Sequence, residues 1–175
     1  VHHLVSVEQD AVAGLQSLVD AVGECDVGPK WQPADRPVLP SGKLSAAKVC
    51  QAVGALMPEN AIISDEAQTS GLKLPLYTAG APKHDVLTLT GGAIGQGLPV
   101  AIGAAIAGNA GEGSASRSVI ALIGDGSAMY TIQSLWTMMN ENLDVTVVIL
   151  NNRSYAILNI KIEQSHTHTR RSRRR

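Results

Sequence analysis

Phenylalanine is absent from this sequence, and aromatic residues make up only 3% of its 175 positions. Any core must therefore be aliphatic and Ala-rich, a composition that suits close packing of helices on a sheet. Cysteine is scarce. Cys25 and Cys50 form no CxxC pair and no metal-ligand spacing, so a disulfide framework and a zinc site are both excluded. Two ordinary thiols fit a reducing cytoplasm. No apolar run reaches about 18 residues, so a membrane span is not expected. The chain opens on Val1 without a signal-peptide pattern, so nothing implies secretion. There are no internal repeats.

Hydrophobic residues at 45% give a length of 175 enough material for one globular domain with a real core. Net charge is −1, but five of the last six residues are Arg, which leaves the remainder at −6. Residues 1–22 combine a strand-like Leu4–Val7 with a helical face of Val12, Leu15, Leu18, Val19 and Val22. With no partner strands nearby, this segment reads as the end of a preceding domain. Residues 23–42 carry Pro29, Pro33, Pro37 and Pro40 and read as an interdomain linker. Residues 43–163 form the main domain, and 164–175 a disordered basic tail without hydrophobic period. His2 with His3, and His166 with His168, are read as solvated pairs rather than metal ligands.

The main domain alternates helical and strand patterns. Ser45–Met57 reads as a helix with Leu44, Ala47, Val49, Val53 and Leu56 as its apolar residues. Ala61–Ser64 reads as a strand ending in Asp65–Gly71, and Val86–Leu89 as a strand followed by Thr90–Gly97 and a helix of small residues. Gly108–Ser118 reads as a surface loop. Val119–Ile123 is a buried strand ending in Gly124-Asp125-Gly126. Met129–Asn142 then has apolar residues at Met129, Ile132, Leu135, Trp136 and Met139, one face of a helix. Val145–Leu150 is a second buried strand, ending in Asn151-Asn152. Two buried strands joined by a helix make a right-handed parallel βαβ unit. Asp125 and Asn152 then stand at the same C-terminal edge of an open α/β sheet, where ligands bind.

Asp125 offers a carboxylate and Asn152 an amide oxygen, both hard ligands. Gly124 and Gly126 let the backbone turn tightly and approach a ligand, and the Ser127 hydroxyl suits a phosphate. Together they read as a Mg²⁺–diphosphate site, in which phosphates and water complete the octahedron. The competing reading makes Asp125 a helix cap and Asn151-Asn152 a simple turn. The glycines from Gly91 to Gly97 suggest a dinucleotide fingerprint, but its third glycine and distal acid are missing.

Gly124-Asp125-Gly126, about 25 residues, then Asn151-Asn152 resembles the thiamine-diphosphate binding motif. The flanking segments from Gly42 to Ile160 resemble the acetolactate synthase and benzoylformate decarboxylase branch. The resemblance implies a doubly wound parallel α/β sheet with helices on both faces, incomplete at its C-terminus. It implies Mg²⁺ held by Asp125, Asn152 and the main-chain carbonyl of Ser154. It places Gln68 and Thr69 on the diphosphate, Gly92 under the aminopyrimidine, and Ile94 as the wedge between the cofactor rings. Gly124, Gly126, Ser127 and Tyr155 complete the expected cofactor contacts. Glu66 receives no catalytic part and is kept as a structural residue. The catalytic Glu that activates the cofactor is expected on a pyrimidine-binding domain from a partner subunit, outside this sequence. A homo-oligomer is implied for the complete enzyme.

The implied parent reaction is decarboxylation of a 2-oxo acid, followed by protonation to an aldehyde or addition to a second 2-oxo acid. Acetolactate synthase is the first expectation and a benzoylformate decarboxylase-like lyase the second. The chain is expected to be a fragment, inactive alone. From other classes, a non-catalytic nucleotide- or phosphate-binding domain would not need Asn152, and a nucleic-acid binder would depend on the Arg tail. Nucleic acid and membrane are not the expected partners.

Overall fold

The computed structural model describes residues 10–23, 35–109, 117–160 and 162, without the side chain of residue 109. It divides into two units, Val1–Gln32 and Pro33–Arg175. In the first, α1 (Ala11–Val22) is capped by the Asp10 side chain, which accepts from the Val12 N–H at 2.8 Å. None of its residues is buried. The two His pairs, the Leu4–Val7 strand, most of the linker, most of the surface loop after Gly108 and the basic tail lie outside the described residues.

The second unit runs α2 (Ala46–Leu56), β1 (Ala61–Glu66), α3 (Leu74–Thr78), β2 (His84–Thr88), α4 (Gly97–Asn109), β3 (Val119–Gly124), α5 (Asp125–Ala128), α6 (Ser134–Asn140) and β4 (Val145–Leu150). All four strands are parallel, in the order β2-β1-β3-β4. This is the α/β architecture expected, with one apolar cluster against α4 and another against α2 and α3. Ile63, Leu122 and Ile123 are fully buried between these layers. Burying a side chain of this size stabilises by about 1.5–3 kcal/mol.

Several boundaries move. Ser45 caps α2 by accepting from the Lys48 N–H at 3.3 Å. Leu44 and Leu56, expected on its apolar face, are exposed, and Cys50 and Gly54 are buried instead. Gly54 is there because a Cβ would lie 2.1 Å from the Tyr77 carbonyl oxygen. Arg36 donates to the carbonyls of Gly54 and Met57 and so satisfies the end of α2. β1 extends through Asp65 and Glu66, because pairing with Thr88 and Ile123 continues that far. β2 begins at His84 rather than Val86.

The helix expected over Met129–Asn142 is the clearest correction. Helix starts at Asp125, pauses through residues 129–133 and resumes at Ser134. The turn is held by Ser134 N–H to the Thr131 carbonyl at 2.9 Å. That pause rotates the second segment. Ser134 and Met138 face inward, and Met129, Ile132, Leu135, Trp136 and Met139 are exposed. β4 is likewise only half-buried, because it is the edge strand.

Candidate functional site

Strand registry sets the site. Glu66 pairs with Ile123, and Gly124 with Leu150, so β1, β3 and β4 end side by side. The chain leaves these ends as three loops: Ala67–Ser70, the Gly124–Ser127 turn and Asn151–Tyr155. Asp65 pairs with Thr88, which brings the glycine loop after β2 to the same edge. The three loops enclose a narrow cleft of about 50 Å³. Gln68, Thr69, Ile94, Gly124, Asp125, Gly126, Ser127, Asn152, Ser154 and Tyr155 all line it. Gly92 does not; it lies exposed in the turn before Ile94, at φ +72°.

Asp125 is not a helix cap. It is the first residue of α5, whose cap position, Gly124, has no side-chain bond. Its Oδ2 instead accepts from the Arg153 N–H at 3.1 Å, joining the β3 and β4 loops. Among the described residues its other oxygen has no hydrogen-bond partner. The Asn pair does form turns. Asn151 Oδ1 accepts from the Arg153 N–H at 3.1 Å and Asn152 Oδ1 from the Ser154 N–H at 2.9 Å. An amide oxygen has two lone pairs, so each Asn keeps one. Arg153 adopts φ +54°, which aims its N–H back at Asp125 and Asn151. Asn159 donates to the Ser154 Oγ at 3.1 Å, leaving the main-chain carbonyl of Ser154 apart from that bond.

On the β1 side, Asp65 Oδ1 accepts from the Ala67 N–H at 3.0 Å and starts the turn carrying Gln68 and Thr69. Gln68 sits at φ +52°. Burial pushes the Asp65 carboxyl above its ordinary value, the Ala67 bond opposes this, and nearby Glu66 adds to it. Opposite, the Tyr155 ring lies over Gly126, where a Cβ would come within 2.8 Å of it. Only a glycine allows that approach.

Two parts of this arrangement went beyond the sequence reading, which kept Glu66 as a structural residue without naming its partners. One is the Arg153 amide, because a backbone donor leaves no mark on residue type. The other is the carboxyl of Glu66, which is 1% exposed and bonds three amides of the glycine loop. Its signal was an acid ending an apolar strand.

Residues 67–175 match the family model for the thiamine pyrophosphate enzyme C-terminal TPP-binding domain. A Mycobacterium tuberculosis protein named as an acetolactate synthase large subunit, IlvX, is 49% identical over 93% of this chain and 30% of its own length. The Escherichia coli acetolactate synthase isozyme 1 large subunit is 34% identical over 66% of this chain and 20% of its own. Among solved structures, the Rhodococcus jostii thiamine diphosphate-dependent 4-hydroxybenzoylformate decarboxylase superposes with a TM-score of 0.65 at 28% identity, over 89% of this chain and 29% of that one. The parallel sheet with its loops at one edge is thus a thiamine-diphosphate-binding fold. The chain belongs to the thiamine pyrophosphate enzyme family and matches its C-terminal, cofactor-binding domain. It spans less than a third of the length of these relatives.

Proposed function

We propose that this chain holds Mg²⁺ and the diphosphate of thiamine diphosphate in a 2-oxo-acid decarboxylase or carboligase, most like an acetolactate synthase large subunit. The observation that carries the reading is convergence. Loops from three strands bring Asp125, Asn152, Ser154, Gln68 and Thr69 into one cleft. The donor set suits Mg²⁺. It offers one carboxylate and two neutral oxygens, and phosphates and water would supply the rest.

Each residue has a task in this reading. Asp125, Asn152 and the Ser154 carbonyl hold the metal, and the Arg153 N–H fixes the Asp125 carboxylate toward it. Gln68, Thr69 and Ser127 donate to phosphate oxygens without adding charge. Ile94 supports the bent cofactor from the glycine loop, and Gly92 offers its carbonyl to the aminopyrimidine. When bound, thiamine diphosphate supplies an electron sink for decarboxylation. The residues of this chain bind and orient; proton transfer to the cofactor belongs to a Glu on the partner subunit's pyrimidine-binding domain. Residues 1–22 are assigned to a preceding domain, 23–42 to a linker and 43–163 to the cofactor domain of a cytoplasmic, oligomeric enzyme.

A thermal-shift comparison tests this. Thiamine diphosphate with Mg²⁺ should raise the Tm by several degrees, as expected for ligand at about 100 times its Kd. ADP with Mg²⁺ should not. A shift with ADP alone would replace the proposal with a nucleotide-binding domain. The chain alone, loaded with cofactor, should show no turnover of a 2-oxo acid, and measurable turnover would contradict the missing-Glu assignment.

A further inference from the structure

Glu66 closes β1, and its carboxyl is 1% exposed. Its Oε1 accepts from the N–H groups of Gly95 at 2.7 Å and Gln96 at 3.2 Å, and its Oε2 from Gly97 at 3.1 Å. Two of these residues are also held from their carbonyl side. Ser64 Oγ donates to the Gly97 oxygen at 2.8 Å, and Thr131 Oγ1 to the Gly95 oxygen at 2.8 Å. Gly97 is required for this approach, since a Cβ there would lie 2.8 Å from the Glu66 Cβ and 2.6 Å from the Ile123 Cδ1. Gly95 sits at φ +102°, with a Cβ barred at 2.6 Å by Tyr130.

The placement of this clamp matters. Glu66 ends β1 two residues before Gln68 of one loop, and it grips the segment directly after Ile94 of another. One side chain therefore sets the spacing between the loop proposed for the diphosphate and the loop proposed for the cofactor rings. The diphosphate turn has its own anchor, Asp65 to the Ala67 N–H, so the two loops are fixed by different carboxyls. From this geometry we infer that Glu66 is a positioning residue, which registers the Gly91–Ile94 loop against the diphosphate turn and so selects the complete cofactor over its diphosphate part. This rests on the cofactor reading above.

The substitution Glu66→Gln keeps volume and one acceptor oxygen but turns an NH₂ donor toward an N–H donor. At least one of the three amides is then unpaired in a buried place, which a structure avoids by moving the loop. The experiment compares wild type with Glu66→Gln for affinity toward Mg²⁺–thiamine diphosphate and Mg²⁺–inorganic diphosphate. Hydrogen exchange at Gly95 and Gly97 is followed in parallel. The expected result is about a tenfold loss for thiamine diphosphate, the scale of one net hydrogen bond, with inorganic diphosphate unchanged and faster exchange at both amides. Equal losses for both ligands, or none for either, would overturn the positioning role. If Glu66→Gln does not fold, Thr131→Val removes one bond from the same segment and should show the same selectivity at smaller amplitude; a uniform effect there also overturns it. A wild type that binds neither ligand would sink the cofactor reading and this inference together. A wild type that binds both, with selectivity unmoved by either variant, would sink the inference alone.

Discussion

Asp65 is half-buried at the end of β1, and burial raises its carboxyl above the ordinary range. The folded chain therefore holds this proton more tightly than the unfolded chain. Folding gains from it at low pH and loses that gain as pH rises through the raised value. Asp65→Asn keeps the Oδ1 acceptor for the Ala67 N–H and removes the charge. Denaturant titrations should find the variant more stable than wild type at neutral pH, with the difference vanishing below the ordinary carboxylate range. A variant less stable at neutral pH would assign Asp65 a net favourable charge. Gly97 gives a second test. With Ile123 Cδ1 2.6 Å from any Cβ, Gly97→Ala should cost about 1–3 kcal/mol in the same titration, as overpacking does. A neutral result would mean that α4 shifts freely.

At the scale of elements, residue type and spacing disclosed the site more fully than the packing. Gly-Asp-Gly and Asn-Asn each end a β-branched run, and strand ends are what the topology aligns. That is why nine of the eleven residues named for the metal and cofactor came from strand-end loops that line one cleft, with Ile94 joining from the glycine loop. Gly92 stayed outside, in an exposed turn where Gly91 and Gly92 both have positive φ. The helix after Asp125 was misread for a different reason. Leu135, Trp136, Met138 and Met139 share about one half of α6, but the buried pair, Ser134 and Met138, lies at one border of that half, so the centre of the apolar arc did not mark the inward face. The pause at residues 129–133 chose it instead. Met138 is buried and Trp136 is 64% exposed. Met138→Ala should therefore cost about 2–5 kcal/mol, and Trp136→Ser less than about 0.5 kcal/mol, measured by denaturant midpoint. Reversed magnitudes would restore the face read from periodicity.

For the whole molecule, the parallel sheet follows from alternating strand and helix patterns, whereas the strand order β2-β1-β3-β4 is seen only in the structure. Every loop at the C-terminal edge then contributes to one place. The account's central claim is that this edge holds Mg²⁺ and diphosphate through Asp125. Calorimetric titration with thiamine diphosphate, with and without Mg²⁺, in wild type and Asp125→Ala, tests it most directly. The account predicts binding by wild type only with Mg²⁺, and a loss of at least about tenfold in Asp125→Ala, as when one partner of a charged contact is removed. Binding indifferent to both Mg²⁺ and Asp125, in a chain shown to be folded, would contradict it.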